Sequence, residues 1–402
     1  MESDRSTGLA ELAAAVAKAR VRGLEDVYLE RRAEMTWRLA EGRVVGREAS
    51  LHEGAAVRRD GMLASGDGLD RPALASLLGL EGRALPPFSL PRWAEPPHLD
   101  PSLATPADGR TAVRWRWSRA VVLAAGRAVT VSRPNLAEVT SASGQRALFR
   151  WPPDGRFRFR APEDLPPGSA RHGKLRVLLA PAAASVLLHE LVGHPLEGDL
   201  LLRGASPWRG RSGEAIVRIP LSVTDDPTRD DLPGSHTADD EGSAAEPRLL
   251  VDAGVLCGAL ADRRTAELLG VAPGNARRAG VHCPPRPRIS NLVATARDPL
   301  PEPPRAEASV EVEAFASGTL EPASGTILLR VRRAFSLRRG ERRQALEPFT
   351  LAGSVDDVTA GLLAAAEPAA PAAEPGWCTK EGEAVPTGGH APWLLLDGLE
   401  VR

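Results

Sequence analysis

Cysteine, net charge and long apolar runs are all scarce in this chain, and each scarcity excludes something. Three cysteines occur in 402 residues, Cys257, Cys283 and Cys378, an odd number with no close pair. A disulfide framework is therefore excluded, and a reducing compartment fits. No apolar run approaches the roughly 18 residues that a membrane-spanning helix needs. The first residues, Met1-Glu2-Ser3-Asp4-Arg5, are polar and acidic, which is wrong for an export signal. A cytoplasmic protein with no membrane contact is the expectation. With 51 basic against 52 acidic residues and no basic stripe interleaved with aromatics, nucleic acid is not the expected partner. Histidine is also sparse, at eight residues.

Against that background one segment stands out. Leu187-Leu188-His189-Glu190-Leu191-Val192-Gly193-His194 places two imidazoles and a carboxylate inside the otherwise apolar run from Ala182 to Leu196. Such groups are costly to bury unpaired, and a divalent metal is a natural partner. Zincins carry their histidines at i and i+4, on one helix face. Here the spacing is i and i+5, about 140° apart on an ideal helix. Gly193 tolerates distortion and Pro195 ends or kinks a helix, so the helix is expected to break near Gly193 and swing His194 inward. The plain alternative is a core helix with one satisfied histidine. In the metal reading Glu190 is placed to act as general base. Glu197 and Asp199 follow His194 closely enough to accept an imidazole N–H.

At this length two domains are the default, each able to bury its own core. Ser6 to Arg20 has helical spacing, with Ser6 or Thr7 as caps, and Asp70 to Leu80 reads as a second short helix. Val27–Glu30, Glu34–Ala40 and Arg43–His52 alternate apolar and polar residues as an antiparallel meander, and Val113–Ser132 and Ala147–Phe159 read as further strands. Residues 81–110 are proline-rich and read as a connector. A second Pro/Gly-rich break, Pro162 to Gly173, divides an N-terminal domain, 1–162, from a C-terminal one, 163–402. There Leu175–Ala180, Ala308–Phe315, Thr326–Leu337 and Trp393–Val401 read as strands, and residues 203–247 as a long polar loop. Leu362–Pro375 reads as a flexible Ala/Pro segment. The expected fold class is α+β: an antiparallel sheet with flanking helices, then a β-rich domain carrying the metal helix. Cys257 and Cys283 are expected to be buried structural residues; His236, His282 and His390 read as surface or loop residues.

Four blocks in order resemble the TldD/PmbA family in its metal-bearing, TldD-type form. They are His189-Glu190-Leu191-Val192-Gly193-His194-Pro195-Leu196-Glu197-Gly198-Asp199, Asp239-Asp240-Glu241-Gly242, Pro287-Arg288-Ile289-Ser290-Asn291, and Gly376-Trp377-Cys378-Thr379-Lys380-Glu381-Gly382 running to Val385-Pro386. The likeness is strong from Leu178 onward. It implies a zinc peptidase in which Cys378 joins His189 and His194 as metal ligand, leaving one position open. It also implies that Arg288 and Asn291 lie near the substrate groove, the alternative being that they cap loops. Asp239, Asp240 and Glu241 would bind a second metal or orient a ligand histidine, the alternative being a solvated acidic turn. Peptides would bind as a strand added to a sheet edge, for degradation of small unfolded peptides or trimming of leader peptides. TldD-type chains pair with a TldE/PmbA-like relative or form homodimers. The chain departs from the family in being short, and in the region Ala316–Gly325, which has fewer glycines and has Glu321 where an aspartate is typical. A reading from another class is a non-catalytic, zinc-stabilised peptide-binding or regulatory subunit; the presence of Glu190 argues for the enzyme, because a structural zinc needs no base.

Overall fold

The computed structural model describes residues 7–40, 43–91, 110–141, 146–150, 165–322, 324–368 and 376–402. In the N-terminal part, β1 (Leu24–Ala40), β2 (Arg43–Arg59), β3 (Met62–Asp67), β4 (Arg110–Ala124), β5 (Arg127–Ser132), β6 (Leu136–Ser141) and β7 (Arg146–Arg150) form one antiparallel sheet. Its order is β3-β2-β1-β4-β6-β7, with β5 also on β4. Alternation builds it: Ala33, Met35, Trp37 and Leu39 point to one face and pack with Val113, Trp115, Trp117, Ala137 and Val139. Earlier in β1 both faces are covered. Val27 and Leu29 meet helices α1 (Leu9–Lys18) and α2 (Arg71–Leu77), while Tyr28 packs on the other face against Ala238 and Val281.

Two of the meander runs, Val27–Glu30 and Glu34–Ala40, belong to a single strand. The charged residues between them do not interrupt it, because Glu30 is buried and accepts from Arg32 Nη2 at 2.9 Å and from Val281 N at 3.1 Å. Asp70 caps α2 through Ala73 N at 2.8 Å. For α1 the cap position is Gly8, in the left-handed region. Most of the 81–110 connector, the strand expected beyond Arg150 and the start of the 162–173 break lie outside the described residues.

In the C-terminal part five strands pair in a closed ring: β8 (Gly173–Leu179), β11 (Val310–Glu321), β12 (Thr326–Arg338), β13 (Phe349–Ser354) and β17 (Trp393–Val401). β8 is parallel to β11 and antiparallel to β17, and β12 joins β11 to β13. A second sheet centres on β9 (Leu221–Asp225) and β10 (Asn291–Ala296) and continues through β16 (Glu383–His390), parallel to β10, to β15 (Gly376–Lys380). Helix α3 (Pro181–Leu188) lies between ring and sheet, so Leu187, Leu188 and Leu191 pack with Val312 and Ile327 on one side and Ile289 and Leu292 on the other. The segment read as flexible contains a strand, β14 (Leu362–Ala366), which pairs with β17. Its alanines look like low complexity, but Ala365 and Ala366 are buried by that pairing. Residues 369–375 lie outside the described residues.

A layer of charge joins the two parts. Arg58 Nη2 binds Asp26 Oδ2 at 2.6 Å and Arg58 also pairs with Glu241. Asp240 pairs with Arg133 and accepts from Arg278 N at 2.8 Å. Asp239 is taken up by the N–H groups of Glu241 and Ser243. The acidic run is therefore not a solvated turn; its three side chains are buried and taken up by arginines and backbone N–H groups. The other two cysteines differ from expectation too, since Cys257 is exposed and Cys283 half-buried. Replacing Arg58 by Met would leave buried Glu241 without its cation and buried Asp26 with Arg278 alone, and the loss of stability should be about 3 kcal/mol, read from the midpoint of a urea titration.

Candidate metal centre

The helix carrying the motif does not break. α3 runs into a π-turn over His189–Gly193, closed by a hydrogen bond from His194 N to His189 O, and then into a tight turn over His194–Leu196. Gly193 and His194 keep right-handed helical angles. A π-turn bonds residue i to i+5, so the residue that an α-helix would carry round to another face comes to lie over His189. The two rings meet edge to face with centroids 4.7 Å apart. Gly193 is needed for clearance rather than for an unusual backbone angle: a Cβ there would sit 2.4 Å from Ile289 Cδ1 and 3.0 Å from Leu292 Cδ1. Widening the helix frees carbonyls, and the long loop supplies donors. Trp208 Nε1 donates to Leu191 O at 2.8 Å, and Ser206 Oγ donates to Pro195 O at 2.5 Å.

The β15–β16 hairpin brings Cys378 to this turn. Its Sγ lies 3.7 Å from His194 Nε2, and donor atoms of His189, His194 and Cys378 all lie within 4.8 Å of one another. Tetrahedral zinc with ordinary bond lengths would separate a sulfur and a nitrogen ligand by about 3.5 Å, so the donor set and spacing fit a metal of that kind. Burial pushes the Cys378 thiol up, but His194 and His189 beside it carry it well below its ordinary range. Burial likewise pushes His194 down, and is outweighed by the Cys378 thiolate and Glu197, leaving it well above its ordinary value. These neighbours favour the thiolate, the form that ligates metal.

Behind these donors stands a second layer. Glu197, fully buried, meets His194 Nδ1 at 3.1 Å and accepts from Lys380 Nζ at 2.7 Å. Asp199 does not reach an imidazole; it accepts from the same Lys380 Nζ at 2.7 Å and pairs with Arg203. Arg288 is completely buried and donates from Nη2 to Cys378 Sγ at 3.2 Å and to Cys378 O. It sits behind the thiolate and does not line the cleft described below. Asn291 is also buried, accepting from Gly234 N at 2.9 Å and donating to Asp226 O at 3.1 Å. The contacts of both residues are architectural, as those of loop-capping residues would be, and neither lines the cleft; Asp240 is taken up by Arg133 and by the N–H of Arg278. Lys380 and Asp225 were missed. Asp225, buried and pushed up to about 7 by that burial despite N–H donors from Ser290 and Asn291, anchors the segment that carries Arg288. Lys380 lies in a quoted block, but nothing in the sequence pairs it with Glu197.

Glu190 is 6% exposed, and its Oε2 accepts from Leu320 N of β11 at 3.0 Å. Gly318 makes room for it, since a Cβ there would lie 2.7 Å from Glu190 Cγ. His189, Glu190 and His194 all line a cleft of about 800 Å³, whose other walls include β11 from Phe315 to Leu320, Trp377 and Lys380.

Residues 172–402 match the PmbA/TldA metallopeptidase C-terminal domain. A metalloprotease TldD homolog of Haemophilus influenzae is 31% identical over 58% of this chain and 49% of its own length. A metalloprotease of Archaeoglobus fulgidus is 31% identical over 56% of this chain and 52% of its own. The crystal structure of TldE from Thermococcus kodakarensis aligns over 98% of this chain and all of that one, with a TM-score of 0.69 at 14% identity, a likeness of fold. The chain belongs to the PmbA/TldD family of metallopeptidases. It spans about half the length of the curated relatives it matches. A metal belongs to that family's description, and the His189, His194 and Cys378 cluster offers a place for one.

Two substitutions test this geometry. Gly193→Ala should force Ile289 and the π-turn apart, costing about 1–3 kcal/mol in thermal or urea unfolding and weakening metal uptake. Glu197→Gln should lower metal affinity about 10- to 100-fold, measured by competition with a chelator, with the fold kept.

Proposed function

We propose that this chain is a zinc-dependent peptidase acting on small or unfolded peptides, a class that includes leader-peptide trimming. The observation that carries the reading is that Glu190 opens on the same cleft as His189 and His194, with Cys378 within ligand distance of both. His189, His194 and Cys378 would hold the metal, and three protein ligands leave a position for water or substrate. Zinc bound there supplies Lewis acidity, making water a stronger acid and a carbonyl more electrophilic. Glu190 accepts the proton of the attacking water and passes it to the leaving amine nitrogen. The Leu320 N–H fixes one carboxylate oxygen, so the base is oriented before substrate arrives. Arg288 and Glu197 hold the thiolate and the His194 ring in place.

Peptide binding as an added strand suits the cleft wall. β11 pairs with β8 only at Val310–Val312; beyond that its ladder partner among the described residues is β12. The opposite edge from Phe315 to Leu320 borders the cleft, where main-chain groups can bind extended peptide with little regard to side chains. We also propose that the chain works as a dimer, with a second copy or with a TldE/PmbA-like partner, a reading supported by the fold likeness to TldE. A reducing compartment such as the cytoplasm suits a free ligand thiolate.

Metal analysis should find about one zinc per chain in the wild type and in Glu190→Gln. Hydrolysis of an unfolded peptide should fall about 10²- to 10⁴-fold in the variant and return to the chelated wild type when zinc is restored. Zinc in both proteins with cleavage by neither, alone or with a TldE-like chain, would replace this reading by that of a zinc-stabilised binding subunit.

A further inference from the structure

A second cavity, of about 80 Å³, lies beside the cleft, and Trp377 lines both. Five arginines face it, Arg32, Arg116, Arg133, Arg277 and Arg278, against one carboxylate, Asp240. Four of the five have acidic partners. Arg32 pairs with Glu30 at 2.9 Å, Arg116 with Glu34 at 3.0 Å, Arg133 with Asp240, and Arg278 with Asp26 at 3.5 Å. Arg277 differs. It is 4% exposed, and among the described residues no carboxylate lies within ion-pair distance of it; its Nη1 donates to the carbonyl of Ile289 at 2.6 Å. Burial lowers this guanidinium to about 10 in spite of Asp240, with Arg133 and Arg288 adding to the drop. Arg278 Nε is likewise buried with no hydrogen-bond partner. A buried cation without a paired counter-charge is costly, and Arg277 has only the unpaired influence of Asp240 and Cys378 to offset it.

We propose that the cavity is a subsite for a carboxylate carried by the bound peptide, with Arg277 as its charged contact. The inference rests on the peptidase reading of the neighbouring cleft. The space admits only a few water-sized groups, which suits a carboxylate on a short stem and excludes a nucleotide. Guanidinium groups present donors in a planar fork that matches a carboxylate. Arg116, stacked over Trp377 with 4.6 Å from its guanidinium carbon to the ring centroid, extends the cationic wall to the border of the cleft. A peptide lying along β11 could then send either its C-terminal carboxylate or an acidic side chain past Trp377. Both share the same chemistry, and both would make the enzyme choose where it cuts by a charge near the bond.

The test is calorimetric binding to the full zinc-loaded chain carrying Glu190→Gln, so that no peptide is consumed. The probes are an extended peptide with a free C-terminus, its C-terminal amide, the same pair with an internal Glu changed to Gln, and N-acetylglycine beside its amide. The acid forms should bind about tenfold or more tightly than their neutral analogues, and the pair that shows the difference identifies its source. Arg277→Met should abolish the difference, and Arg116→Met, at a less buried site, should reduce it if the first variant fails to fold. Equal binding of acid and neutral forms overturns the proposal, as does an acid preference that survives Arg277→Met, or no binding of any probe. Acid preference without cleavage by the Glu190 protein would sink the peptidase reading and leave the subsite standing. Cleavage without preference would do the reverse.

Discussion

The contact on which the site depends joins two pieces of chain 184 residues apart, the Cys378 sulfur against the His194 ring. It exists because a π-turn has rotated His194 over His189 and because Arg288 presses the ligand strand forward from behind. Neither arrangement is stable by itself. An isolated π-turn wastes helical hydrogen bonds, and here the loop residues Trp208 and Ser206 satisfy freed carbonyls. A thiolate in an apolar core would be expelled or protonated without nearby cations. The two costs are met by one another, so ring, second sheet and long loop are all committed to holding three donor atoms together.

What could be read beforehand follows from how local each feature is. His189, Glu190 and His194 are visible because polar ligands in an apolar run demand a partner. The way their spacing closes is not visible, because Ile289 and Trp208, which shape the turn, come from other elements. Residue alternation marks Glu34 to Ala40 as strand, and Asp70 to Leu80 reads as the helix that forms over Arg71–Leu77. The strand reading stops short at Arg31 and Arg32, whose charge is taken up by Glu53 and by the carbonyl of Ala279, contacts that no local pattern announces. The ring of strands had no local signature, since it is closed by the parallel pairing of Val177–Leu179 with Val310–Val312. Cys378 is found through resemblance alone, and resemblance does not choose between groove and loop cap for Arg288 and Asn291, because a motif records presence and not direction.

The seam between the two parts shows a division of labour among charges. Its acids, Asp26, Glu30, Asp240 and Glu241, are each matched to an arginine from across the chain or hold backbone donors. Such pairs add little net stability over apolar packing, but they fix orientation. A shift of one part relative to the other would strand buried charges, so the cleft wall contributed by Glu138 and Leu148 keeps its place in the cleft that His189 and His194 also line.

The bare edge of β11 has a consequence for the behaviour of the protein among its own copies. Unpaired strand edges are sticky, and a sheet that leaves one in open solvent invites runaway addition of further chains. Here the stretch from Phe315 to Leu320 faces a walled cleft, and its Leu320 N–H is already taken by Glu190. If peptides bind there as proposed, a folded neighbour would be poorly placed to present a strand, and a loose, extended segment well placed. Stickiness, a hazard on any surface, would then become a sieve for unfoldedness.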